Sequence, residues 1–127
     1  MEVLLDTNFI LSCIKQKLDF FSLANDIFDE KIDWLVPFEV LQELKDLSER
    51  KGEKIPDKES ARVGLEFVRL IKAKEIHLGN KVVDNGIVDY VNNKKNKIIV
   101  ATLDKALKKR LNSQILTIRD MGSLEII

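Results

Sequence analysis

The segment KIIVAT, residues 97–102, places Ile98, Ile99, Val100 and Ala101 in succession, and a strand built from them has no face that can meet water. Side chains alternate across a strand, so such a run is stable only with a packed layer on each side. EVLL near the start and DWLVP at 33–37 share this property, and both precede longer runs with apolar residues at helical spacing. Buried strands separated by amphipathic helices define a parallel sheet between helical layers, a three-layer α/β/α sandwich. About five strands are expected, EVLL, DWLVP, EIHL, KIIVAT and QILTI, with SLEII as a small edge addition.

The helices expected between them run to about Lys17, from Asp19 to Glu30, from Pro37 through Arg50, from Lys58 to Lys74, over VVDNGIVDYVNNK, and over DKALKKRL. Pro37 suits the first turn of its helix, where a missing N–H costs nothing. The charged stretch KGEKIPDKES, with Gly52 and Pro56, reads as an exposed loop. A chain of 127 residues suits one compact domain, residues 1–127. It has no apolar run long enough to span a bilayer and no basic leader, so a cytoplasmic protein without membrane contact is expected.

The single cysteine, Cys13, falls in an apolar helical pattern and reads as buried filler, and the lone His77 has no companion His or Cys with which to bind zinc. Basic and acidic residues balance at 21 each, but their distribution is uneven. Lys94 to Arg110 holds seven basic residues against Asp104 alone, while Asp19 to Asp33 holds five acids against Lys31. That asymmetry suits a polyanion approaching one side, and a solvated helix face accounts for it equally well.

In a parallel sheet, ligands gather beyond the carboxyl ends of the strands. Asp6 follows the first strand and Asp104 the fourth. Asp is also a favoured helix N-cap, so Asp6, Asp84 and Asp104 each carry that simpler explanation. Helical position distinguishes Asp84, which falls among Val83, Ile87, Val88 and Val91 and therefore faces inward. Glu43 borders the apolar arc formed by Val40, Leu41, Leu44 and Leu47. Four carboxylates at one crevice repel each other unless a cation sits among them, and an all-oxygen set suits Mg²⁺ or Mn²⁺. Lacking a suitable His, Cys or Ser arrangement, such a site favours metal-assisted phosphodiester hydrolysis.

Four stations in order, LLDTNFIL, VPFEVLQELKDL, VDNGIVDYV and IIVATLDKALKKRL, resemble the PIN-domain ribonucleases across nearly the whole chain. The resemblance implies strand order 3-2-1-4-5 and makes Asp6, Glu43, Asp84 and Asp104 the catalytic, metal-binding acids. It assigns Asn8 and Thr102 supporting polar roles and implies one or two Mg²⁺ or Mn²⁺ ions. Many relatives carry a second acid where this chain has Asn85, so one tightly held ion and one recruited with substrate is the expectation. Lys105, Lys108 and Lys109 share a helix face and are the expected RNA-guiding triplet.

The implied activity is that of a metal-dependent endoribonuclease, either a toxin restrained by an antitoxin or a nuclease in RNA processing with a ribosome-assembly partner. Homodimerisation is left open. The alternative is a non-catalytic RNA-binding or scaffold module of the same fold. A phosphoaspartyl enzyme fits poorly, because the second Asp of the haloacid-dehalogenase pattern is replaced by Asn8.

Overall fold

The computed structural model describes residues 1–50, 55–120 and 122–127. Its strands are β1 (Glu2–Leu5), β2 (Asp33–Pro37), β3 (Lys74–Ile76), β4 (Ile98–Ala101), β5 (Ile115–Arg119) and β6 (Ser123–Ile126). They form one sheet in the order β3-β2-β1-β4-β5-β6, parallel throughout except for the antiparallel β5–β6 pair at one edge. The expected order 3-2-1-4-5 is therefore present, with the small C-terminal strand as its sixth member.

The helices are α1 (Thr7–Lys15), α2 (Phe20–Ile27), α3 (Phe38–Glu49), α4 (Ile55–Leu70), α5 (Val83–Asn92) and α6 (Lys105–Arg110). Alternation along the central strands divides them into two layers. Val3 and Leu5 of β1 and Ile99 and Ala101 of β4 pack against Phe9, Phe20, Val40 and Val68 from α1–α4. Leu4, Ile98 and Val100 face the other way, onto Ile87, Val91 and Leu107 of α5 and α6. Both faces of β1 and β4 are thus apolar because each serves a separate core. No described helix is long and apolar enough to cross a membrane.

Several boundaries differ from expectation, and three of them have a clear local reason. Of the expected loop KGEKIPDKES, residues 51–54 lie outside those described, and the remainder belongs to α4. Pro56 falls in the first turn of that helix, where it needs no amide partner. The helix stops at Leu70, short of Lys74, because Lys72 takes a left-handed φ of 57° and Lys74 pairs with Leu35 in the sheet. Pro37 is the last residue of β2, opposite Ile76, and caps α3 from outside the helix with extended backbone.

Candidate active site

Every strand that reaches the crevice delivers its residue at the carboxyl end of the sheet. Asp6, directly after β1, is 4% exposed and is the N-cap of α1. Its Oδ1 accepts the Thr7 amide at 2.8 Å, and its Oδ2 accepts the Thr102 hydroxyl at 2.7 Å. Thr102 follows β4, is wholly buried, and accepts in turn from the Asp104 amide at 3.1 Å. Asn8 completes the tie: its Oδ1 accepts the Leu103 amide at 3.0 Å, with the Thr102 hydroxyl a looser 3.4 Å away. The chain after β1 is thereby laced to the chain after β4, which fixes Asp6 relative to Asp104.

Asp6, Glu43 and Asp84 line one open crevice of about 570 Å³, together with Thr7, Asn8 and Lys81. Burial pushes the Asp6 carboxyl above the usual carboxylate range; the Thr102 and Thr7 hydrogen bonds pull the other way, and the charges of Asp84 and Asp104 add to the rise. Glu43 is exposed as a residue, but it lines the crevice and its carboxyl is partly desolvated there. Desolvation raises its pKa first, and the neighbouring Asp6 charge raises it further. The Thr7 hydroxyl beside it favours the ionised form, although that buried oxygen has no hydrogen bond of regular geometry.

The cap explanation separates the three aspartates. Asp6 and Asp104 both cap helices, the latter through Oδ1 to the amides of Ala106 and Leu107 at 2.9 and 3.2 Å. Asp84 does not. It lies inside α5, whose N-cap is Val82, and it is half-buried. Asp104 stands apart from the lining of the crevice. Among the described residues, no three His, Cys, Asp or Glu side chains are close enough as placed to hold an ion. The four acids are therefore gathered at one end of the sheet without forming a closed cage.

The donor set nonetheless suits a hard divalent cation. Three carboxylates share the crevice, and the innermost is desolvated at an energetic cost. A bound cation would offset the mutual repulsion that adds to the desolvation of Asp6 and Glu43.

Two further residues, Glu39 and Lys81, shape the site without being among the expected site residues. Glu39, one helical turn before Glu43, accepts the amides of Leu78 and Gly79 at 3.1 and 2.9 Å. Desolvation works against its ionisation, but the amides of Leu78, of Glu39 itself and of Gly79 hold its carboxyl below the usual glutamate range. This clamp also explains why β3 ends at Ile76, earlier than the expected Leu78: those amides turn to Glu39 instead of continuing the strand. Lys81, on the connection that leads to Asp84, is the sole basic residue lining the crevice among those described, and it forms no ion pair there. A lysine next to three acids in space, but distant from two of them in sequence, carries no local signature.

The expected lysine triplet is divided. Lys105 and Lys109 are exposed, whereas the Lys108 ammonium donates to the Thr117 hydroxyl at 3.3 Å on β5. Arg110 donates to the Asn85 side chain at 2.8 Å, which bridges the start of α5 to α6. Cys13 is wholly buried, its thiol pushed up to about 12 by desolvation, and His77 stacks on Phe38 at 5.1 Å beside Glu75; neither belongs to the crevice.

Comparison with known proteins supplies an independent line. The family described as "PIN like domain" matches residues 3–121. Ribonuclease VapC4 of Methanocaldococcus jannaschii is 27% identical over 124 residues, covering 95% of this chain and 92% of the relative. The PIN domain endonuclease Utp24 superposes with a TM-score of 0.79 at 27% identity, over 98% of this chain and 90% of the other. A chain of the VapBC2 structure from Rickettsia felis, solved with a promoter DNA fragment, shares the fold at a TM-score of 0.55 and 14% identity, over 94% of this chain and 100% of the other.

Proposed function

This chain belongs to the PIN-like domain family, and from that premise we propose that its crevice hydrolyses RNA internally with the help of a divalent cation. The observation that carries the reading is Asp6, a buried carboxylate held by two hydrogen bonds and sharing one crevice with two further acids. A purely structural cap has no need of that company. The names of the relatives, a ribonuclease and an endonuclease, support the same chemistry.

Asp6, Glu43 and Asp84 would hold Mg²⁺ or Mn²⁺, with Asp104 flanking through Oδ2, the oxygen its helix cap leaves free. When bound, the ion supplies a nucleophile at neutral pH and neutralises charge developing on the phosphoryl group. The protein's own contribution is positional. Thr102 and the Thr7 amide aim the Asp6 oxygens, Asn8 keeps the two strand ends in register, and Glu39 fixes the turn from which the chain runs on to Asp84. Lys81 offers a cation to the phosphate beside the acids, which alone would repel it.

The test is cleavage of an end-labelled RNA with Mn²⁺ by the protein and by Asp6→Asn, alongside melting curves with and without the ion. Internal cleavage lost in the variant, and a metal-dependent rise in melting temperature that shrinks with it, are the expected results. An undiminished metal response in Asp6→Asn overturns the site, and absence of cleavage with retained RNA binding favours the scaffold module. Two settings suit such a nuclease, a toxin held by an antitoxin and an RNA-processing enzyme. Growth arrest on expression, relieved by a co-expressed neighbouring small protein, distinguishes the first from the second.

A further inference from the structure

The opposite end of the sheet carries a second recess, of about 600 Å³, between the segment that follows α5 and the turn that joins α6 to β5. Lys94, Lys95 and Lys97 line one wall, and Asn112, Ser113 and Gln114 the other; no Asp or Glu side chain lines it among the described residues. Asn92 forms the hinge between the walls, donating to the Arg110 carbonyl and accepting the Asn112 amide, both at 3.1 Å. That bridge fixes the recess independently of any ligand.

Its charges are unequal in their commitments. Lys94 is occupied, its ammonium 3.9 Å from Glu2 and 4.9 Å from the Tyr90 ring centre. Lys95 and Lys97 are exposed and form no ion pair among the described residues. Ser113 lines the recess, and its hydroxyl oxygen, shielded from solvent, has no hydrogen-bond partner among the described residues. Free ammonium groups, neutral amides and an unpaired hydroxyl, with no carboxylate side chain among them, are the chemistry that receives phosphate oxygens.

Position suggests whose phosphates these are. β4 runs from Ile98 in this recess to Ala101, one residue before Thr102, which bonds to Asp6. The two sites therefore lie roughly 13 Å apart along the strand direction, at about 3.3 Å per residue. α6, about 9 Å long, covers part of this interval on the surface, with Lys105 beside Asp104 at one end and the Arg110 carbonyl bonded to Asn92 of the recess at the other. We propose that this lysine-lined recess is a remote subsite for the phosphates of a single-stranded RNA whose scissile bond lies in the acid crevice, several nucleotides away. The proposal rests on the reading of the crevice as an RNA site, and it makes the enzyme sensitive to substrate length.

The test uses the double variant Lys95→Gln/Lys97→Gln and two single-stranded RNAs, one short enough to fill the crevice alone and one long enough to reach both sites. Binding is measured by fluorescence anisotropy across a KCl series at a constant Ca²⁺ concentration that neutralises the crevice acids, with binding and not cleavage as the readout. The variant is expected to bind the long RNA several-fold more weakly and the short RNA like the parent. Its log–log salt slope on the long RNA should be shallower by up to about 1.4, at roughly 0.7 per lost phosphate contact on single strands. Identical affinities and slopes for variant and parent overturn the proposal.

Inorganic phosphate and tripolyphosphate, added as competitors, identify the source of the anion. Saturation of the recess by free phosphate at concentrations that leave long-RNA affinity unchanged also overturns the RNA assignment. Loss of long-RNA binding in the double variant, coupled with no cleavage by the parent in Mn²⁺, removes the hydrolytic reading while leaving the subsite intact.

Discussion

The two ends of the sheet use charge in opposite ways. At the carboxyl end, Asp6, Glu39 and Asp104 are each held by two hydrogen bonds, and most of these come from backbone amides whose positions the fold dictates. At the amino end, Lys95 and Lys97 stand on flexible stems with no partner among the described residues. Chemistry on one bond requires atoms held to within a fraction of an ångström, whereas attraction of a phosphate backbone tolerates many geometries. Rigid acids and loose lysines are thus suited to different parts of one task.

The largest break in this comparison is expected from Asp6→Asn. Cleavage of RNA should fall by at least about 100-fold, as when a fixed electrostatic group is lost from an active site. Cleavage of a short RNA by the Lys95→Gln/Lys97→Gln variant should stay near the parental rate. Comparable losses in both variants would show that the two ends are not functionally distinct.

Gly86 provides the next test, because α5 approaches the Glu39-anchored turn so closely there that a Cβ would lie 2.8 Å from the Leu78 Cβ. Gly86→Ala should destabilise the protein by about 1–3 kcal/mol in urea unfolding, and it should weaken metal binding by displacing Asp84. No loss of stability would mean that α5 is not pinned to the crevice.

Glu39→Gln is expected to cost about 0.5–1 kcal/mol, below the range for hydrogen bonds to a charged group because this carboxylate is largely solvated. Its folded pKa is depressed, so its contribution is present above the unfolded glutamate pKa and lost as pH falls through the folded value. The difference between parent and variant should therefore narrow in acid.

The smallest effect has the opposite sign. Asp6 has a raised folded pKa, so its favourable contribution is complete below the unfolded aspartate pKa and disappears as pH rises through the folded value. Metal-free Asp6→Asn should consequently melt slightly higher than the parent at neutral pH, with the advantage vanishing in acid. A variant less stable than the parent at neutral pH would make Asp6 a structural cap first.

The layered sheet was legible because its cause is local. Four consecutive apolar residues at Ile98–Ala101 demand cover on both faces wherever the strand sits, and the alternation of Val3, Leu4 and Leu5 between the two cores is the same rule applied to β1. Boundaries were less legible. Pro56 is compatible with a loop and with a first helical turn, and Lys72 gives no sign in its side chain of the left-handed backbone that ends the segment after α4.

By itself the sequence determined the sheet, its covering helices, the inward face of Asp84 and the strand-end positions of Asp6 and Asp104, since these follow from periodicity and from neighbours a few residues away. Only the tertiary structure decided which polar groups meet. The Thr102–Asp6 bond joins residues 96 apart, Glu39 reaches amides 39 and 40 positions on, and Lys81 comes to border Asp6 and Glu43. Such contacts depend on how strands and helices are stacked, and a side chain's own chemistry names what it can bond to without naming the distant partner that packing brings within reach.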